Sequence, residues 1–422
     1  MALGNGLSSS FGIATETTPG TPVVVTRFAE FDSETLALKR HTVQGAGLRG
    51  GGLVRRAQRR AIVAREAAGD VTFDAMTAGL GLFLQHMLGS TPGAPTSLGG
   101  GLYQQIHTPG SLQGLAFTTQ IVKPDTTGVL ASAAFTYPGC KVTDWDLSVA
   151  QHAQLKLKLT IDALDEATPA NAFAPTTLAA STVAAAGTFT TAATLTAGSY
   201  VVVDSGLNAE VVQIGTPSGA GPFTIPVTTP GGLSRAHASG VYVGSATAVN
   251  YGTAAGLQSP SYTAGLSMFT FDGGKLVAGG TTTVVSGVWT QTGGTTVANV
   301  RTVSVKGKNP LKVDRWGLGN KVRNEQLDNN FRDYTADFEV EYNGRGFYDA
   351  YTADLPLALV FSFTGPGGAK LSLYAPVGFQ EDGSGPSVAG PDIIIQKFKT
   401  TLLDDGVNGS LQVVYTSTDV AV

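Results

Sequence analysis

Six arginines crowd one short stretch of the chain. Arg49, Arg55, Arg56, Arg59, Arg60 and Arg65 fall within 17 residues. A guanidinium is a planar fork that binds phosphate or carboxylate with two parallel hydrogen bonds. The cluster therefore reads in two ways. It could be a basic arm for phosphate or nucleic acid, or a loop that pairs with carboxylates of another protein surface. Its neighbours are Gly, Ala, Leu and Val, so base stacking on aromatic rings is unsupported. A later stretch, 307–330, mixes both signs: Lys312, Asp314, Arg315, Lys321, Arg323, Glu325 and Asp328. Mixed charge favours protein–protein pairing.

Other residue types offer less. The five histidines are His41, His86, His107, His152 and His237, and no two stand at ligand spacing. His86, beside Phe83 and Leu84, reads as a helix-face residue. One cysteine, Cys140, can make neither an internal disulfide nor a cysteine-based zinc site. No GxSxG elbow and no GxxxxGK[ST] phosphate loop occur. The glycines of LRGGGLVRR (48–56) are consecutive and lack the strand–helix frame of a dinucleotide site. Asp144 and Asp146 flank Trp145 on a strand and so share one face, as a glycosidase pair could. A polar face opposite Trp145 and Leu147 is the simpler reading. No catalytic residue, cofactor site or metal site is assigned, and no enzyme is expected.

The elements that position these residues are strands. Leu155, Leu157, Leu159 and Ile161 alternate with Lys156, Lys158, Thr160 and Asp162. Phe338, Val340 and Tyr342 alternate with Asp337, Glu339 and Glu341. Val71 with Phe73, Val303 with Val305, and Leu411, Val413 and Tyr415 follow the same period of two. Turn sequences PGC, DGG, DDG and NG separate the runs. The pattern predicts antiparallel sheets packed face to face. Only 81–88 and 346–354 read as helices. Each follows a strand, and each is too short to stand without packing on a sheet.

The two helices belong to a repeat. REAAGDVTFD (65–74) aligns with RDYTADFEVE (332–341), matching Arg65 to Arg332 and Asp70 to Asp337. A helix follows each. A strand (25–31; 300–305) and a long basic loop precede each, and a strand pair (141–163; 393–415) is expected to close each. Between the copies, residues 167–203 contain no charged side chain. Runs at 199–204, 209–215 and 222–227 nonetheless read as strands of a small inserted module, which surface loops accept readily. The expected division is 1–167, 168–248 and 249–422.

Composition agrees with a folded chain that meets other protein. Of 422 residues, 14% are charged and 55 are glycine, with a net charge of −4. Free-standing soluble domains carry about 25% charged residues. A surface this poor in charge is expected to be partly covered. The near-balanced charge argues neither for nor against nucleic acid. The N-terminal residues have no secretory pattern and no run reaches 18 apolar residues, so a cytoplasmic place of synthesis is expected and no membrane partner.

Several segments resemble the tail tube proteins of long-tailed, non-contractile bacteriophages. They are SSSFGIATETTPGTPVVVTRFAEFDSETL (8–36), GLGLFLQHMLGS (79–90), FTYPGCKVTDWDLSV (135–149), VANVRTVSVKGKNPLKVDRWGLGN (297–320) and NNFRDYTADFEVEY (329–342), in family order. The resemblance implies duplicated antiparallel β-sandwich units with short flanking helices. It implies self-assembly into rings that stack as a DNA-conducting tube, with tape measure and tail-end proteins as further partners. It places the protein in the virion tail, assembled in the host cytoplasm. Loops 44–64 and 307–330 would then reach a neighbouring subunit or ring. Two units per chain favour three chains per ring, with pseudo-sixfold symmetry, over six. A different reading is a carbohydrate-binding or adhesive surface protein using Trp145, Trp289 and Trp316 as platforms.

Overall fold

The computed structural model describes residues 6–47, 54–123, 134–166, 176–204, 208, 210–229, 231–245, 260–263, 267–388 and 390–422. The first half contains β1 (Ser10–Thr15), β2 (Arg27–Ala29), β3 (Ser33–Glu34), β4 (Ala37–Gln44), β5 (Arg60–Asp74), α1 (Gly81–Leu88), β6 (Thr96–Gly99), β7 (Leu102–His107), β8 (Phe117–Val122), β9 (Ala134–Ala150) and β10 (Lys156–Ala163). The middle contains β11 (Thr176–Thr177), β12 (Thr188–Thr191), β13 (Tyr200–Val203), β14 (Glu210–Gln213), β15 (Phe223–Pro226) and β16 (Tyr242–Ser245). The second half contains β17 (Gly274–Ala278), β18 (Thr281–Val285), β19 (Val288–Thr292), β20 (Thr295–Thr296), β21 (Val300–Lys308), β22 (Leu311–Lys312), β23 (Leu327–Asp328), β24 (Asp333–Glu341), α2 (Gly346–Thr352), β25 (Leu357–Thr364), β26 (Lys370–Gln380), β27 (Pro386–Ser387), β28 (Ile395–Leu403) and β29 (Gln412–Ser417). The chain is mainly β, and every strand pairing among the described residues is antiparallel.

One eight-stranded ladder forms the front of the molecule: β4, β5, β10, β9, β21, β24, β28 and the C-terminal end of β26. Its period-two strands point apolar residues one way and charges the other. Tyr334, Ala336, Phe338 and Val340 of β24 are buried, while Asp333, Thr335, Asp337 and Glu339 are not. Behind it lie two back sheets. One is β2–β1–β8 with the start of β9; the other is β20–β17–β25 with the start of β26, then β29, β7 and β6. β9 and β26 each begin in a back sheet and end in the front one. The layers enclose a single core holding residues from both halves, among them Phe11, Phe73, Trp145, Phe338 and Phe361. Burying large aromatics of this kind stabilises by roughly 2–3 kcal/mol each.

The two halves repeat one pairing scheme. In the first, β4–β5–β10–β9 is followed in space by β9–β8–β1–β2. In the second, β21–β24–β28–β26 is followed by β26–β25–β17–β20. Two details depart from the sequence expectation. The counterpart of β21 is β3–β4, not the 25–31 segment, whose strand β2 pairs with β1 in a back sheet. β4 is almost wholly exposed and has no apolar alternation to reveal it. The 393–415 segment also does not form a strand pair. β28 joins β24 and β26 in front, whereas β29 joins β26 and β7 behind. The intervening DDGVNG turn carries the chain from one layer to the other.

A second, smaller core lies in the middle segment. Leu178, Phe189, Val201, Val212, Ile225 and Val243 pack there between β11–β16–β13–β14 and the β12–β15 pair. Among the described residues, no helix is long and apolar enough to cross a membrane.

Candidate assembly interface

The halves meet along β9 and β21. Ser148 lies opposite Ser304, Asp146 opposite Lys306, and Trp145 opposite Gly307. A Cβ at residue 307 would stand 2.3 Å from the Trp145 ring, so only glycine lets the indole lie across the seam. The Ser304 hydroxyl donates to Asp146 at 2.8 Å.

The loop between β21 and β24 locks that seam by folding onto the first half. Arg323 is nearly inaccessible and reaches Asp162, Glu66 (2.9 Å), and the carbonyls of Val313 and Ala163 (both 3.0 Å). Gln326 donates to the Gly139 and Asp162 carbonyls. Lys141 has a fully covered side chain and donates to Glu325 (2.6 Å) and to the Leu112 and Gln326 carbonyls. Burial lowers its pKa, and Glu325 opposes that shift. Asn309 donates to the Met87 and Val142 carbonyls, and Arg332 to the Leu88 carbonyl. Asp328 accepts from Ser111 and from the Leu112 amide; these bonds and the Arg332 charge hold its carboxyl below the usual range against the cost of burial. Breaking such buried charged contacts by removing one partner typically costs about 3–5 kcal/mol.

The sequence-predicted residues divide sharply. Lys312 pairs with Asp314 in solvent, and Arg315 donates to the Glu325 carbonyl. The Lys321 carbonyl accepts from the Arg65 amide, and the Arg65 side chain meets Asp165 at 2.7 Å. These second-loop contacts lie within one chain. In the first loop, Arg55, Arg56, Arg59 and Arg60 are exposed and take part in no ion pair among the described residues. Arg49 lies outside the described residues. Arg59 and Arg60 lie at the outer end of a two-stranded arm, 37–44 against 60–68, in which residues 60–66 pair with β4 alone.

The polar face of the front ladder carries its own pairs. Lys156 meets Asp32 and Asp74 (both 2.6 Å), Lys158 meets Asp70 (2.8 Å), Lys306 meets Asp337 (2.9 Å) and Lys397 meets Glu339 (2.8 Å). Asp144 and Asp146 sit within this lattice and line an open hollow together with Lys158, Lys306, Lys308 and Asp333. Trp145 and Trp289 are buried in packing, which leaves Trp316, edge-on to His41, as the one tryptophan available to a sugar. Cys140 is buried, and His86 donates to or accepts from Thr15 beneath α1. No group of three metal-ligating side chains is assembled among the described residues.

Residues 6–211 match a family model described as phage tail tube protein. The matched stretch, just under half of the chain, takes in β1 to β10 with α1 and runs into the middle segment. The match supports a structural tail tube protein. No curated protein matches the chain. The second half lies beyond the matched stretch, yet it repeats the strand pairing of the first.

One cluster escaped the sequence reading. The buried His237 lies 3.0 Å from Asp204 through Nδ1 and 2.5 Å from Glu210 through Nε2. Glu210 also accepts from the Ser234 and Arg235 amides. The middle segment is nearly free of charge, and its only two carboxylates converge on its only histidine. That scarcity was the one legible clue.

Proposed function

We propose that the chain is the major tail tube subunit of a long-tailed, non-contractile phage, with no enzymatic role. Three copies close into a ring of six equivalent units, and rings stack into the tube that conducts the genome. The observation that carries this reading is the front ladder. It presents eight strands built from two equivalent units, and among the described residues its outer strands, β3–β4 at one edge and β27 at the other, pair on one side only. Unpaired edges invite strand addition, and a heterologous contact that closes makes a ring. Three copies supply about 24 strands. At about 4.8 Å spacing and about 40° tilt, the barrel is roughly 48 Å across at the backbone, wide enough for duplex DNA inside its side chains.

In this arrangement the ladder's polar face lines the lumen. Four of its lysines, Lys156, Lys158, Lys306 and Lys397, are engaged by carboxylates, which leaves fewer free cations for passing phosphates to hold. The chain divides at 1–167, 168–248 and 249–422, with the middle module on the outer surface. Tape measure and tail-end proteins complete the partners, and DNA passes without sequence-specific binding. Assembly takes place in the host cytoplasm and the product resides in the virion tail. Electron microscopy of the purified chain tests the reading: stacked rings with three chains per turn are expected. A chain that stays monomeric at high concentration and is absent from tails overturns it.

A further inference from the structure

An asparagine or aspartate followed by glycine is a latent reactive pair. The glycine nitrogen can attack the side-chain carbonyl carbon before it, because no Cβ stands in the way. The fold decides whether it does. The attack needs a side chain free to swing and an N–H free to give up its proton. Five such pairs lie among the described residues: Asp272–Gly273, Asn343–Gly344, Asp382–Gly383, Asp405–Gly406 and Asn408–Gly409.

Four of them are held. Asp272 accepts from the Thr270 hydroxyl, and Asp382 from the Tyr351 hydroxyl. Asp405 accepts from the Val407 and Asn408 amides. Asn408 donates its side-chain amide to Asp405 at 2.7 Å, and the Gly409 amide is directed at the same carboxylate.

Asn343 differs on each count. It is exposed, in the link between β24 and α2. Neither its side chain nor the Gly344 amide makes a hydrogen bond among the described residues. A Cβ at residue 344 would meet nothing within 4 Å. Both residues line an open hollow of about 390 Å³ beside Phe347 and Leu357, so a ring can form there unobstructed. The flanks are fixed: the Tyr342 amide donates to the Ile394 carbonyl at 2.8 Å, and the Asp349 amide to the Arg345 carbonyl at 2.7 Å.

We propose that Asn343 is a site of spontaneous deamidation, converting to aspartate and isoaspartate as the chain ages. The Gly344 nitrogen loses its proton and bonds to Asn343 Cγ. The Cγ–Nδ2 bond breaks, and that nitrogen leaves as ammonia, taking up the proton. Water then opens the resulting five-membered imide. Opening at Cγ gives aspartate. Opening at the main-chain carbonyl gives isoaspartate, whose backbone runs through Cβ and Cγ. Water is the only co-reactant, and nothing is oxidised or reduced. Either product adds a negative charge two residues from both Glu341 and Arg345. Isoaspartate also lengthens the link between the front ladder and α2 by one carbon. The inference concerns the single chain and does not rest on the ring reading.

The test follows both Asn–Gly pairs of the full chain in one sample. Dilute wild-type protein is held at mildly alkaline pH and then digested. Chromatography with mass spectrometry separates the amide, aspartate and isoaspartate forms of each peptide. Asn5, which also precedes glycine, lies outside the described residues and falls in a different peptide. The Asn343 peptide is expected to convert about tenfold faster than the Asn408 peptide, the factor for first releasing one charged hydrogen bond at Asn408. In urea the two rates should converge, since glycine follows both. Gly344→Ala should slow conversion at 343 in the folded chain, and Asn343→Gln should remove it. An Asn343 peptide that stays intact while Asn408 converts overturns the proposal. So does a rate ratio that is the same in the folded chain as in urea. Neither result bears on whether the chain forms tubes.

Discussion

Lowering the pH from 7 to 5 should remove about 4 kcal/mol of folding stability through two buried histidines. His86 lies on α1 at 2% exposure, and His107 on β7 is fully covered. Burial pushes the His86 pKa down to about 3, helped by the Lys141 charge, and burial pushes His107 down to about 4. Both lie below the ordinary value of 6.5. The unfolded chain therefore takes up protons that the folded chain refuses. The stabilisation is complete above pH 6.5 and is lost as pH falls towards the folded-state values. Each pH unit below 6.5 costs about 1.4 kcal/mol per histidine. At pH 5 the loss is about 2 kcal/mol each. Urea unfolding of dilute protein, followed by tryptophan fluorescence at both pH values, measures it. A His86→Gln/His107→Gln variant supplies the reference slope. The reasoning is refuted if wild type and variant lose the same stability between pH 7 and 5.

Three further outcomes are expected. Gly307→Leu drives a side chain into the Trp145 ring across the internal seam and should cost about 1–3 kcal/mol by chemical denaturation. Arg323→Ala leaves Asp162 buried without its cation; about 3–5 kcal/mol is expected, and an undiminished midpoint would show that solvent replaces the guanidinium. Hydrogen bonds from His237 and from the Ser234 and Arg235 amides outweigh burial and hold the Glu210 carboxyl below its ordinary value of 4.5. Its contribution is thus present above pH 4.5 and lost as pH falls below it. Hydrogen exchange should show the middle segment loosening in that window before the body does, and Glu210→Gln should abolish the difference.

The sequence disclosed the front ladder wherever one face was buried. Leu157, Leu159 and Ile161, or Phe338 and Val340, alternate because their neighbours face solvent, and a one-residue slip would expose them all. The same logic hid β4, which is exposed on both faces and so has nothing to alternate. It also hid the crossing from β28 to β29, since periodicity reports burial and not which layer does the burying. The charged loops were legible as clusters of paired charge by type alone. Their difference in state was not: Arg323 is enclosed and Arg56 is bare. Only folding the second unit against the first decides that. His237 stands at no ligand spacing in the sequence, because Asp204 and Glu210 reach it from the end of β13 and from β14 rather than along one element.

The β9–β21 seam has an arithmetical consequence. Because each chain brings two units already joined in fixed order, any closed ring of whole chains contains an even number of units, and five- or seven-unit misclosures are unavailable. In the proposed ring, half of the lateral joints are made during folding, at an effective concentration set by the tether and not by how much protein the cell has accumulated. Only the remaining half respond to supply. The internal joint can therefore be as tight as Trp145 and Gly307 make it, independently of the joint between chains in the proposed ring.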